Sequence, residues 1–212
     1  MKRFLAVLFI GFTLCIHLDA QTNSPLSAGV STQTVETIVC IRHGEKPPGG
    51  LGQLTCRGLN RALALPTVLL AKYGSPQFVF APKPAPKVEG QDGHKGYHYV
   101  RPLMTIEPTA IRCGLPISAQ FEYNEIQGLE SELGKPAYQS ATIFIAWEHK
   151  LLDDFVKNVV KSDGGDSTQV PPWPPDDYDS IFVVRITRSA GRESVAFTID
   201  HENLNNLSDT CP

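Results

Sequence analysis

Basic residues are not in excess in this 212-residue chain: 19 Lys and Arg stand against 22 Asp and Glu, a formal charge of −3. That excludes a nucleic-acid binder held by phosphate neutralisation, and any anion site must be built locally. No C-x-x-C pair occurs, which excludes a zinc ribbon or a thioredoxin-type centre. H-E-x-x-H is absent as well. The two histidines spaced i, i+4, His94 and His98, sit among Gly93 and Gly96, so they lack the helix that a zinc pair at this spacing needs, and no metal is expected. No internal repeat is present. Beyond the N-terminus, no apolar run approaches the roughly 20 residues that span a bilayer.

What the chain does have begins with a leader. Lys2 and Arg3 precede the apolar run Phe4 to Ile16, and Leu18-Asp19-Ala20 offers a small residue for cleavage. This predicts a signal peptide over 1–20, a secreted or periplasmic protein, and no stable membrane insertion after cleavage. Cys15 lacks the small residue that precedes a lipidated cysteine. The mature chain would carry 17 basic and 21 acidic side chains and four cysteines, Cys40, Cys56, Cys113 and Cys211. Four cysteines allow two disulfides in three connectivities. Cys40, inside an apolar run, reads as a small buried hydrophobe. Residues 21–34 are polar and small and predict a flexible tail. A single domain is expected over 35–212, with enough apolar material, 42% of the chain, for one core.

Along that domain, V-E-T-I-V-C-I from Val35 to Ile41 predicts a buried strand ended by Arg42-His43-Gly44. Thr55 caps a predicted helix that runs to Tyr73 and stops at Gly74, with Pro66 expected to kink or split it. Gln77 to Ala81 is a second strand, and a long Pro/Gly-rich loop follows over 82–100. A helix is predicted over 103–113 and an extended piece at Leu115 to Ser118. Thr142 to Trp147 is the clearest buried strand and leads into an amphipathic helix from His149 to Lys161. Residues 162–178 form a second Gly/Pro loop, in which Trp173 reads as a lid or as a packed anchor. Ile181 to Thr187 and Val195 to Ile199 form a hairpin. The alternation predicts an α/β fold, a three-layer α/β/α sandwich with a mainly parallel sheet and a C-terminal antiparallel hairpin.

His43 and His149 each end a predicted parallel strand, so both should emerge at the carboxyl edge of one sheet, where α/β folds bind ligands. Arg42 adds a fixed cation, and together these residues suggest a phosphoryl group. Arg42-His43-Gly44-Glu45-Lys46-Pro47 resembles the signature of the histidine phosphatase superfamily, the phosphoglycerate-mutase-like fold. Leu54-Thr55-Cys56-Arg57-Gly58-Leu59-Asn60-Arg61-Ala62 resembles that family's L-T-x-x-G-x-x-R-A helix start. Arg101-Pro102-Leu103-Met104-Thr105-Ile106-Glu107-Pro108 is similar to R-A-x-Q-T-A-E-P, and Trp147-Glu148-His149 supplies a second histidine. The resemblance runs from about residue 36 to 161 and is to the mutase-like branch, because Lys150 stands where the phytase-like branch has an Asp.

The resemblance implies a phosphatase acting on small phosphomonoesters through a phosphohistidine, without a cofactor. It makes His43 the nucleophile and places Arg42, Arg101 and His149 around the phosphoryl oxygens, with Arg112 as the alternative arginine. The proton donor would be Glu125, in the Asn124-Glu125 pair, with Glu122, Glu130 and Glu148 as alternatives. Glu45, Lys46 and Arg57 are expected at the substrate side of the pocket. The alternative is a non-catalytic phosphate- or anion-binding protein on the same scaffold.

Overall fold

β1 (Thr34–Arg42) forms because apolar and β-branched residues run through it almost without a break, and it lies inside the sheet, covered on both faces. The computed structural model describes residues 33–85, 87, 88 and 96–212. The leader expected over 1–20, nearly all of the 21–34 segment and His94 lie outside the described residues. After β1 come α1 (Cys56–Tyr73), β2 (Phe78–Phe80), a two-stranded ribbon of β3 (Lys87–Val88) and β4 (Tyr97–His98), and α2 (Arg101–Cys113). β5 (Ile117–Ser118), α3 (Ile126–Leu133), β6 (Thr142–Trp147), α4 (His149–Ser162), β7 (Ser180–Ser189) and β8 (Arg192–His201) complete the order.

The six-stranded sheet runs β5-β2-β6-β1-β7-β8. Its first four strands are parallel, while β7 is antiparallel to β1 and β8 to β7. This is the three-layer α/β fold with an antiparallel C-terminal hairpin that the alternation of elements predicts. The period of two divides each central strand between two cores. Ile38, Cys40, Ile143, Ile145 and Trp147 face α3 and α4, where Leu129, Leu152, Phe155 and Val156 meet them. Val39, Ile41, Phe144 and Ala146 face α1 and α2, where Leu65, Leu69, Ile106 and Ala110 meet them. Each large aliphatic or aromatic side chain among these contributes roughly 1.5–3 kcal/mol by leaving water, so the central strand ends are held rigidly.

One expectation is corrected and two open readings are filled. Helix α1 continues through Pro66 without a break. The missing N–H forfeits one bond to the Ala62 carbonyl, but burial of Leu65, Pro66 and Leu69 holds the helix across the gap. α3 lies in a stretch without a predicted element, although Ile126, Leu129 and Leu133 follow a helical spacing and are buried. One disulfide, not two, is present among the described residues: Cys56–Cys211, while Cys40 and Cys113 are free thiols. Cys40 faces the α3/α4 core and burial pushes its thiol pKa up, so it behaves as a hydrophobe.

The disulfide ties the C-terminal segment to the first turn of α1 across 155 residues. Its removal in Cys211→Ser is expected to cost roughly 2–5 kcal/mol, read as a lower midpoint in urea. An unchanged midpoint would mean that the hydrogen bonds from Asn60 to the Ser208 and Thr210 carbonyls hold this segment by themselves.

Candidate active site

β1 and β6 pair in parallel with Arg42 opposite Trp147, so the chain leaves both strands at the same edge. The His43 N–H closes the ladder on the Trp147 carbonyl at 3.1 Å. His43 follows the one strand directly and Glu148-His149 the other, which brings the two distant histidines to one sheet edge.

His43 is buried, with Nδ1 2.8 Å from the Gly44 carbonyl. That contact assigns the hydrogen to Nδ1 and leaves the lone pair on Nε2. Burial, and then the positive charges of Arg101, Arg42 and Lys46, hold the imidazole well below its usual pKa, and the Gly44 contact offsets this only in part. The ring is therefore neutral at physiological pH. Its backbone is fixed from two sides. The Gly44 N–H donates to Thr105 Oγ1 at 2.9 Å, and the Thr105 hydroxyl donates to the Arg101 carbonyl at 2.8 Å, one turn back on α2. On the other side, a Cβ on Gly58 would stand 2.5 Å from the Glu45 carbonyl oxygen, so only glycine allows α1 to approach this segment so closely.

Two buried arginines flank the ring. Arg42 Nη1 donates to the Pro175 carbonyl at 2.7 Å and to the Asp177 carbonyl at 2.9 Å, and its guanidinium lies 3.9 Å from the Tyr178 ring centre. Arg101 Nη1 donates to the Gly50 carbonyl at 2.6 Å, with its guanidinium 4.6 Å from the Tyr99 ring centre. Nε of each is buried without a partner among the described residues. Arg112 is exposed on the last turn of α2, so Arg101 is the arginine that the fold brings to His43. The rings of Tyr99 and Tyr178 lie 5.9 and 6.2 Å from the His43 ring.

His149 opens α4, and Glu148 caps that helix by accepting from the Leu151 N–H at 3.0 Å. Glu148 Oε1 is 2.7 Å from His149 Nδ1, and both ring nitrogens are buried without an aligned hydrogen-bond partner among the described residues. Burial raises the Glu148 pKa, but the His149 contact and the backbone N–H groups of Leu151 and Lys150 outweigh it and hold the carboxyl below its usual range. The Glu148 charge is felt by Arg42, Lys46 and Tyr99. Lys46 is partly buried, and burial, then repulsion by Arg101 and Arg42, depresses its pKa.

Several expected site residues are engaged by partners of their own. Glu45 turns away from the substrate side and pairs with Arg61 at 2.8 Å, because a buried guanidinium on α1 offers it a fixed counter-charge. Arg57 is likewise turned outward, pairing with Asp209 at 2.9 Å. Glu125 is exposed and accepts the Glu122 N–H at 2.7 Å at the start of α3. Glu122 forms an isolated bridge with Lys83, and Glu130 accepts from Asn158. His98 lies on the exposed face of β4 with Nδ1 3.0 Å from the Pro84 carbonyl. Trp173 is a packed anchor, stacked 4.1 Å from Phe182. The sequence reading missed Tyr99 and Tyr178 as walls of the site. Tyr99, two residues before Arg101, was within reach of motif reasoning, whereas nothing local marks Tyr178, whose partner Arg42 is far away in sequence.

No family model matches the chain, and no curated protein matches it. Among solved structures, it is similar to a candidate alpha-ribazole-5'-P phosphatase from Escherichia coli, at 14% identity and a TM-score of 0.50, over 78% of this chain and 96% of that one. A candidate phosphohistidine phosphatase, SixA, from Nakamurella multipartitia aligns at 15% identity and a TM-score of 0.49, over 79% and 96%. A mycobacterial glucosyl-3-phosphoglycerate phosphatase aligns at 13% identity and 0.48, over 78% and 97%. The chain thus has the phosphoglycerate-mutase-like α/β fold. At the carboxyl edge of its sheet stand a neutral buried histidine, two buried arginines and a second histidine.

Proposed function

We propose that this protein is an exported histidine phosphatase that hydrolyses small phosphomonoesters through a phosphohistidine. The observation that carries the reading is His43: a buried, neutral imidazole oriented through Nδ1, beside arginines whose buried Nε groups have no acceptor among the described residues. A non-catalytic anion binder needs the cations but not an oriented neutral nucleophile. In the first step His43 Nε2 attacks phosphorus and the ester P–O bond breaks, the leaving alkoxide taking a proton. In the second, a deprotonated water attacks phosphorus, the P–N bond breaks, and phosphate departs. Arg42, Arg101 and His149 donate to the equatorial oxygens, each worth roughly 3 kcal/mol in such sites. The signal-like leader and the Cys56–Cys211 disulfide support an oxidising, extracytoplasmic setting.

Proton transfer falls to Glu148 and not to Glu125, since Glu148 shares the electrostatic field of Arg42 and Lys46 while Glu125 is engaged in its own turn. A bound phosphoryl dianion adds negative charge beside Glu148 and raises its pKa, so it can carry the proton in the complex. Glu148→Gln is expected to slow an alkyl phosphate about 10²-fold and an activated aryl phosphate far less, whereas Glu125→Gln leaves the ratio of the two rates unchanged. The reverse pattern returns the role to Glu125. Hydrolysis of an activated aryl phosphate by the mature chain, with EDTA present, tests the function itself.

A further inference from the structure

Arg61 lies in the middle of α1 at 1% exposure, and its whole guanidinium is engaged by acceptors from two separate parts of the chain. Nε lies 3.2 and 3.0 Å from the two Glu45 carboxylate oxygens, and Nη2 lies 2.8 Å from Glu45 Oε1 and 3.3 Å from the Leu204 carbonyl. Nη1 donates to Glu202 Oε2 and lies 3.6 Å from Asp179 Oδ1. Glu45 stands two residues beyond His43. Asp179 reaches the other side of the site: its N–H donates to Asp177 Oδ1 at 2.9 Å, and the Asp177 carbonyl is one of the two that hold Arg42. One guanidinium therefore spans from the nucleophile's segment to the segment that aims the phosphoryl-binding arginine.

We propose that Arg61, clamped by Glu45, Asp179 and Glu202, is a positioning residue that sets His43 and Arg42 relative to each other for phosphoryl transfer. This rests on the phosphatase reading given above. The planar fork is essential, because a lysine ammonium cannot meet Glu45 through one edge and Glu202 through the other in fixed geometry. Three carboxylates share this one guanidinium, and Glu202 Oε1 is buried without a partner among the described residues. Burial, with Asp179 and Glu45 adding to it against the pull of Arg61, pushes the Glu202 carboxyl up to about 8. The other titratable groups near the cluster are His201, whose Nδ1 is 3.9 Å from Asp179 Oδ2, and Tyr73, whose hydroxyl feels Glu202. Above about pH 8 the charge on Glu202 draws on Nη1, and the balance between Glu45 and the Asp179 side shifts.

The test uses the mature chain, an activated aryl phosphate and vanadate as the trigonal-bipyramidal probe. Arg61→Lys is expected to lose on the order of 10²-fold in kcat, with KM moved less than about threefold, and to bind vanadate more weakly in proportion to its loss in kcat. Wild type should show an inflection in kcat near pH 8 that Glu202→Gln removes. If Arg61→Lys does not melt cooperatively, the Glu202→Gln pH profile alone decides. A folded Arg61→Lys with wild-type kcat, or a Glu202→Gln profile that keeps the inflection, overturns the clamp and leaves the phosphatase standing. A wild type that neither hydrolyses the ester nor binds vanadate overturns the phosphatase reading, and the clamp with it.

Discussion

The His43→Ala variant is expected to lose at least about 10⁴-fold in kcat on an activated aryl phosphate, with EDTA present, while keeping its fold and its stabilisation by inorganic phosphate. The loss is large because no other group replaces a covalent nucleophile, and phosphate binding survives because Arg42, Arg101 and His149 remain. Undiminished turnover would remove His43 from that role. The depressed pKa of His43 adds two pH signatures. Lowering the pH through 6.5 should not switch off kcat/KM by protonating this ring, since the folded imidazole stays neutral there, and its acid limb lies further down. Stability behaves in the opposite way. The unfolded histidine takes up a proton near 6.5 and the folded one does not, so the stability present above that pH is lost progressively as pH falls below it. Urea midpoints at pH 7.5 and 5.5 should therefore differ more in wild type than in His43→Ala.

Removal of either buried arginine should be nearly as damaging. Arg101→Ala and Arg42→Ala are each expected to cost about 10²–10³ in kcat, because each removes a preorganised donor from a site sheltered from water. Arg101→Lys should recover only part of the loss, since an ammonium cannot hold the Gly50 carbonyl and a phosphoryl oxygen in the same fixed plane. Arg42→Ala should also destabilise by roughly 1–3 kcal/mol, because it strands the Pro175 carbonyl, while the Asp177 carbonyl keeps the Trp173 indole N–H. Arg112→Ala, on the exposed end of α2, is the control and should leave kcat within twofold. A larger effect at Arg112 than at Arg101 would reverse the assignment.

Much of this architecture was legible in the residues. β1 and β6 read directly from unbroken apolar runs, α1 from Thr55 and Gly74 at its two ends, and α4 from its apolar stripe. These signals are local: a strand buried on both faces must be apolar throughout, and a helix end must find partners for its free backbone groups. The ribbon of β3 and β4 left no such trace, because two residues per strand carry no period. Pro66 misled because its local cost is real, and only tertiary burial outweighs it.

The site divides along the same line. The sequence alone determined that His43 and His149 leave parallel strands at one edge, whereas Arg101 joins Thr105 on one helix only in the structure, because α2 starts at Arg101 and not at the predicted residue 103. Tertiary structure decided which charges face one another. Glu45, adjacent to the site in sequence, is captured by Arg61, Glu125 accepts from the backbone of its own turn, and Arg42 is aimed by carbonyls 133 and 135 residues away. Hydrophobic period and capping depend on neighbours in the chain and can be read from it. The partner of a buried charge is whichever group the packed layers bring within reach, and that is settled only when the layers close.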